Sequence, residues 1–258
     1  MKKSRVFAAL VTAALLLPIS ACDNAGEENE PPALIPAAAF QMDTQVFNTK
    51  SAGPNFAAAA LRVWPVSLAV TAHMIIPAAV TLAAANEEPV FEDGAWHWTT
   101  STQSGVYSID LELIATPVSP GHDWSMLVSY NDGTQVLDDF ELYSGHTENN
   151  GTEGNWSLNY MLNGIQTNVL NAMFNSDSVT DRQLELSIPA TAPAHAGASV
   201  EYVVDGTARA FTLNAVNPAG THVIEWDAET NVGSITAPNY NGGVTACWDA
   251  NLDDAACE

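Results

Sequence analysis

Oxygen-bearing side chains near the end of the chain stand at every second position, a spacing that could bind a metal ion. Asp249, Asn251 and Asp253 supply carboxylate and amide oxygens. Calcium takes several hard oxygen ligands from one short loop, so these three residues are the candidate calcium ligands. Asp254 stands where the turn of such a loop needs glycine, and the alternative is a solvated acidic loop without metal. No other cofactor is indicated.

Cysteines are the second group that could do chemistry, and the chain has three, Cys22, Cys247 and Cys257. The residues before Cys22 have the composition of an export signal, with basic residues at positions 2, 3 and 5 and an apolar run over 6–17. A run this short is typical of a signal-peptide core rather than a membrane span. We therefore predict a signal peptide over 1–21. Cys247 and Cys257 remain as a pair, which an oxidising exported compartment favours as a disulfide.

The tetrapeptide Ile19-Ser20-Ala21-Cys22 resembles the bacterial lipobox. This resemblance implies a diacylglyceryl group on Cys22, cleavage before it, and a lipid bilayer of the cell envelope as partner. Two or more acyl chains give stable anchoring. Asp23 resembles an inner-membrane retention signal of enterobacterial lipoproteins, but other bacteria sort differently, so the inner and the outer membrane both stay open. The alternative is a secretory signal with a chance cysteine.

The charge of the chain excludes one class of partner. Thirty acidic residues face seven basic ones, for a net charge of −23 at pH 7, and three of the basic residues lie in the predicted signal peptide. A surface this acidic repels phosphate backbones, so we expect no nucleic acid partner.

Residues that could catalyse a reaction are not grouped in any pattern that we recognise. The histidines of the β region, at 97, 122, 146, 195 and 222, lack metal-ligand spacing, and no Gly-x-Ser-x-Gly elbow or glycine-rich phosphate loop is present. The sequence therefore predicts that the protein is not an enzyme. Trp96 and Trp98 flank His97 on one strand face, where they would either bind a ligand such as a sugar or belong to the core.

The segments before residue 90 predict a tether and a helical segment. Residues 22–54 begin acidic and polar and continue through Pro31-Pro32, which predicts a lipidated flexible tether. Residues 55–86 are alanine-rich with apolar residues at helical spacing, and the prolines at 65 and 77 predict two or three short helices, the first capped by Asn55. The uncharged stretch 63–85 is just long enough to span a bilayer, but we favour burial within the domain.

From residue 95 onward the apolar period changes from 3.6 to 2, which predicts β-strands. Apolar and polar residues alternate over short segments, separated by hairpin signals such as Asn163-Gly164 and by longer loops at 145–154 and 217–220. We predict a mainly β fold, an antiparallel meander over 95–237 curled into a barrel or half-barrel, with the apolar helical segment packed on or in it. A disulfide-stapled tail over 238–258 completes a single domain, 55–258.

The plan of the chain resembles a loose group of uncharacterised bacterial lipoproteins. The matching features are the lipobox, the alanine-rich segment, Gly94-Ala-Trp96-His-Trp98 and Cys247-Trp-Asp followed by Cys257. Lipoprotein carriers of the outer-membrane localisation pathway are similar in shape only, as curved sheets with helices in an apolar cavity. The leading hypothesis is a membrane-anchored lipoprotein that binds an apolar or lipid-like ligand. The alternatives are a structural or adhesion surface lipoprotein without a ligand, and a glycan-binding module.

Overall fold

The computed structural model describes residues 30–34, 41–48, 52–84, 87–134 and 136–257, with side chains described outside 71–84 and 149. The predicted signal peptide, the candidate lipidation residue Cys22 and the start of the tether lie outside these residues. Pro31–Glu258 form one compact unit. The hydrophobic core and the disulfide both lie inside this unit, which therefore contains the interactions needed to fold by itself.

One antiparallel sheet of fourteen strands makes up most of the unit, and each strand pairs with its neighbours in sequence. The mainly β meander is thus confirmed. Within the described residues no pairing joins the first strand to the last, so the sheet is open. The strands are β1 (Val90–Glu92), β2 (Ala95–Ser104), β3 (Tyr107–Pro117), β4 (His122–Asn131), β5 (Val136–Glu148), β6 (Glu153–Leu162), β7 (Ile165–Ser178), β8 (Asp181–Ser187), β9 (Ser199–Asp205), β10 (Ala208–Val216), β11 (Ala219–Asp227), β12 (Gly233–Thr236), β13 (Ala246–Trp248) and β14 (Asp254–Ala255).

The alternation of the sequence decides which face of the sheet is buried. In β9, for example, Val200, Tyr202 and Val204 are buried and the residues between them are more exposed. Because successive side chains point to opposite faces, this pattern gives the sheet one apolar and one polar face. The predicted turn Asn163-Gly164 joins β6 to β7 with both residues at positive φ, as a tight two-residue hairpin requires.

A single long helix, α1 (Pro54–Ala84), packs on the apolar face of the sheet. Phe56, Ala59 and Val63 are buried against the strands. On the other side of the helix, Leu61, Trp64 and Leu68 remain exposed. The prediction of two or three short helices is wrong, because α1 continues through Pro65. Proline removes the N–H that would bond to the carbonyl of Leu61, but both residues lie on the exposed side, where water can reach that carbonyl.

The structure differs from the predicted flexible tether at residues 41–48. This segment includes a short 3-10 helix, Gln45–Asn48, whose Phe47 is buried. The Phe47 ring stacks on Phe56 at 5.2 Å and meets Trp226 edge-on at 5.0 Å. Tyr202 accepts a hydrogen bond from the backbone N–H of Asp43 at 3.0 Å. Burial of Phe47 between the helix and the sheet therefore fixes residues 41–48 on the domain. The polar residues around Phe47 had led us to predict that this segment belongs to the tether.

The stretch 63–85, for which a membrane span was the alternative to burial, falls mostly within α1. Its residues Val63 and Val70 are buried in the core that α1 shares with the sheet. Among the described residues, no helix combines the length and the hydrophobicity that crossing a membrane requires.

Candidate functional site

The acidic tail loop that suggested calcium is closed by its own hydrogen bonds. Cys247 and Cys257 form a disulfide, with their Cα atoms 5.3 Å apart. Inside this loop the carboxylate of Asp249 accepts backbone N–H bonds from Asn251 at 2.8 Å and Asp253 at 3.1 Å. Within the described part of the chain, no three histidine, cysteine or acidic side chains are arranged to hold a metal ion. The Asp249 carboxylate acts as the cap of a turn, and calcium binding by these three residues stays a prediction.

The tail also holds the start of α1, through contacts that the sequence could not show. The backbone N–H of Asn55 donates to Asp254 Oδ1 at 2.9 Å, and the Asn55 side chain donates to the carbonyl of Cys247 at 2.8 Å. Asn55 was predicted to cap the helix, but it lies inside the first turn, and Asp254 is the residue that caps it. An anionic carboxylate at this position also interacts favourably with the helix dipole. A Cβ on Gly53 would lie 2.7 Å from Asp254 Oδ1, so the absence of a side chain permits this approach.

Arg62 connects the middle of α1 to the sheet. Its Nε donates to His222 Nδ1 at 3.0 Å and its Nη2 donates to Asn239 Oδ1 at 2.6 Å, while Tyr240 lies beside the guanidinium. Because His222 Nδ1 accepts, the imidazole is neutral. Burial, and then the charge of Arg62, lower the pKa of His222 below its ordinary value. This group therefore joins helix and sheet and is not a free acid or base.

The candidate sugar-binding tryptophans lie in the core. Trp96 and Trp98 are only 8% and 5% exposed, and Trp98 stacks on Trp124 at 5.9 Å. Trp96 begins a larger arrangement that we call the tryptophan row, in which bulky and small residues alternate across six paired strands. Its members in order are Trp96, Ala115, Trp124, Gly145, Trp156 and Ala172. The small residues make room for the indoles of the neighbouring strands, and the row has no exposed platform for a sugar ring.

A polar groove on the opposite face of the sheet brings a histidine, several carboxylates and a methionine together. We call it the His146 groove. His146 Nδ1 lies 2.8 Å from Asp123 Oδ1 and its Nε2 lies 3.4 Å from Glu148 Oε1. The groove has a volume of about 370 Å³ and is lined also by Glu185 and the exposed Met173. It offers carboxylates, a histidine with both nitrogens engaged, and one polarisable apolar contact.

The His146 groove was not predicted from the sequence because its residues come from five strands, β4 to β8. Asp123 pairs with His146, which in turn lies beside β6, and Met173 pairs with Glu185 between β7 and β8. Nothing in the spacing of these residues along the chain reveals a register of this kind. The alternation of exposed polar residues was the only available signal, and it indicates a wet face without indicating a site.

Comparisons with protein-family models, with curated proteins and with solved structures find no match for this chain.

Proposed function

We propose that the chain is a lipid-anchored, non-enzymatic protein of the bacterial cell envelope that acts by presenting its surface to a partner. It corresponds to the structural or adhesion alternative of the sequence analysis. The observation that carries the proposal is the dense aromatic filling of the space between α1 and the sheet. The anchor and the envelope location rest on the sequence around Cys22.

The core has side chains in the positions where a ligand-holding protein would keep a cavity. Phe56 of α1 meets Trp248 of β13 edge-on at 5.6 Å, and Trp124 lies 6.4 Å from Trp156 along the tryptophan row. Five grooves formed by described residues have volumes between about 230 and 540 Å³ and are open to solvent. Apolar ligands are usually held in clefts that bury most of their surface. This packing supports a surface role over an interior apolar or lipid-like ligand.

The non-enzymatic part of the proposal is supported by the partners of two histidines, His146 and His222. A general base needs a ring nitrogen directed at a substrate, within hydrogen-bond reach of the proton that it takes. Both nitrogens of His146 face carboxylates, and His222 Nδ1 accepts from Arg62. These arrangements stabilise the fold or shape a surface, and neither pairs the histidine with a serine, threonine or cysteine nucleophile.

The His146 groove is the part of the surface that we assign to partner binding. Its carboxylates belong to Glu148, Glu153 and Glu185, and Met173 supplies an exposed apolar contact. A partner with basic side chains next to a small apolar residue is complementary to this set.

We further propose that the open sheet curls around α1 as a half-barrel. Twisted sheets of more than about ten strands rarely stay flat, and this one has fourteen. Contacts of α1 with β2 and β3 as well as with β12, β13 and β14 fit such curvature, since one helix then touches strands near both ends of the sheet.

Native mass spectrometry of residues 31–258, expressed in a bacterial periplasm, tests the surface role. A protein with a filled core should appear at its own mass, whereas a carrier of lipid-like molecules should appear with an added mass.

A further inference from the structure

The turns of the sheet divide into two groups that differ in charge. Because each strand reverses direction, successive turns lie at opposite ends of the strands. We call one group the uncharged rim, and it comprises the turns at 105–106, 132–134, 163–164, 188–198, 217–218 and 237–245. Asp132 is the only aspartate, glutamate, lysine or arginine among the described residues of these turns, which also contain His195. Its carboxylate accepts hydrogen bonds within its own turn, from Tyr130 and Thr134.

The turns at the opposite ends form the acidic rim. Six of these seven turns contain or adjoin carboxylates, the exception being the turn at 118–121. One carboxylate from each of the six is Asp93, Glu148, Asp181, Asp205, Asp227 and Asp249. The turns at one rim therefore carry or adjoin carboxylates, whereas the turns at the other rim are almost free of them.

The uncharged rim exposes large apolar side chains at the tips of its hairpins. Val106 and Tyr107 stand at the β2–β3 turn, Val136 follows the β4–β5 turn, and Met161 and Ile165 flank the β6–β7 turn. Neighbouring tips are two strands apart, which is roughly 10 Å. These residues contribute little to the core. Large apolar side chains are also exposed in turns of the acidic rim, as at Val179 and Val232, so the uncharged rim is distinguished by the combination of exposed apolar tips with turns that almost lack charged residues.

We propose that the uncharged rim docks on the surface of a lipid bilayer, with its hairpin tips inserted at the level of the headgroups. Separate apolar tips can enter a fluid interface one by one, whereas a protein partner requires one continuous, closely packed patch. Tyr107 is of the type enriched where membrane meets water. Neutral headgroups suit a rim without charge, and the acidic rim is held away from the membrane.

This inference relies on the proposed envelope location only for the presence of a bilayer. The anchor at Cys22 would keep the protein near the membrane, and the rim would set its orientation. With the rim on the bilayer, the face that carries the His146 groove would be roughly perpendicular to the membrane surface. A test with residues 31–258, which lack Cys22, separates the rim proposal from the anchor proposal. Binding of these residues to lipid depends on the rim alone, so either proposal can be refuted while the other stands.

Co-sedimentation of residues 31–258 with phosphatidylcholine vesicles tests the rim. Val136 is 70% exposed on the uncharged rim and Val179 is 71% exposed on the acidic rim, which makes them a matched pair. We expect the unsubstituted protein to bind, Val136→Asp to lower the partition coefficient at least tenfold, and Val179→Asp to leave it within twofold. An environment-sensitive fluorophore on Val136→Cys should shift to the blue with vesicles, and one on Val179→Cys should not.

Three results would overturn the proposal. The first is an unsubstituted protein that stays in the supernatant at millimolar lipid, and the second is equal binding by the two aspartate variants. The third is a concentration-dependent dimer, seen by analytical ultracentrifugation, that Val136→Asp dissociates, which would assign the rim to a second copy of the chain. Unchanged near-ultraviolet circular dichroism of both variants would show that an altered fold does not explain the difference.

Discussion

Gly145→Ala tests whether steric fit sets the alternation of the tryptophan row. A Cβ at Gly145 would lie 2.3 Å from the carbonyl oxygen of Asn155 and 2.7 Å from Cδ2 of Trp156. Since unbonded heavy atoms pack at about 3.5 Å, β5 and β6 would have to separate by about 1 Å at this pair. Overpacking of this kind costs about 1–3 kcal/mol. We expect the upper half of this range, because one of the two contacts is with backbone.

Urea unfolding of residues 31–258, followed by tryptophan fluorescence, measures the effect of Gly145→Ala. A loss of about 2–3 kcal/mol corresponds to a fall in Tm of about 4–12 °C for a domain of this size. The control is Ser144→Ala, at the next residue of β5 and on the opposite face, which should change stability by less than about 0.5 kcal/mol. An unfolding midpoint for Gly145→Ala equal to that of the control would refute the steric account.

A second substitution shows which contact is responsible. In the double variant Gly145→Ala/Trp156→Leu the contact with the indole is gone, but the contact with the Asn155 carbonyl persists. We therefore expect the loss of unfolding free energy in the double variant to be smaller than the sum of the losses in the two single variants, because the two sites are neighbours and interact. Additive losses would mean that the indole and the methyl group do not compete for space.

Two further predictions concern the Arg62–His222 hydrogen bond between α1 and the sheet, and the lipid anchor at Cys22. His222→Asn keeps an acceptor for Arg62 at the position of Nδ1 but cannot titrate. As the pH falls below about 6.5, the unfolded chain protonates His222 before the folded chain does, so acid destabilises the unsubstituted protein over a window that ends at the lowered folded pKa. Urea titrations at pH 7.5 and 5.5 should give His222→Asn a smaller loss in acid, within about 1 kcal/mol of unsubstituted stability at pH 7.5. The loop variant His195→Asn should keep the full loss, and equal losses in both variants would contradict this account. For the anchor, cells fed an alkyne analogue of palmitate should label the full-length protein and should not label Cys22→Ser. A labelled Cys22→Ser variant would show that the lipid is elsewhere.

The strands could be predicted from the sequence because their signal is local. Alternation of apolar and polar residues depends on the period of the strand alone, and the antiparallel meander follows from short turns between consecutive strands. Whether the sheet closes into a barrel could not be predicted in this way. Gly145 shows where this reasoning stops. Its glycine marked the start of a predicted loop over 145–154, but β5 continues to Glu148 and β6 begins at Glu153. Glycine is needed at position 145 because a side chain would collide with the Asn155 carbonyl and the Trp156 indole on the neighbouring strand. No local sequence pattern shows these contacts.

Long-range contacts account for the other differences between sequence and structure. Phe47 enters the core because its ring packs on both Phe56 and Trp226, although the residues around it in the sequence are polar enough to predict a tether. The tail over 238–258 was predicted as a disulfide-closed segment after the meander, but its strands β13 and β14 continue the sheet. Asp254, in this tail, caps a helix that begins 200 residues earlier at Pro54. Composition can show that such residues are apolar or acidic, but only the register shows what they meet.

The filled core is the central claim, and native mass spectrometry of residues 31–258 from a bacterial periplasm tests it most directly. The same sample is measured again after denaturation in organic solvent, which releases any bound lipid and gives the mass of the chain with its disulfide. The account predicts one and the same protein mass in both measurements and no lipid in the solvent extract. A native mass that exceeds the denatured mass, with a lipid recovered in the extract in equimolar amount, would contradict it and would make the protein a carrier of apolar ligands.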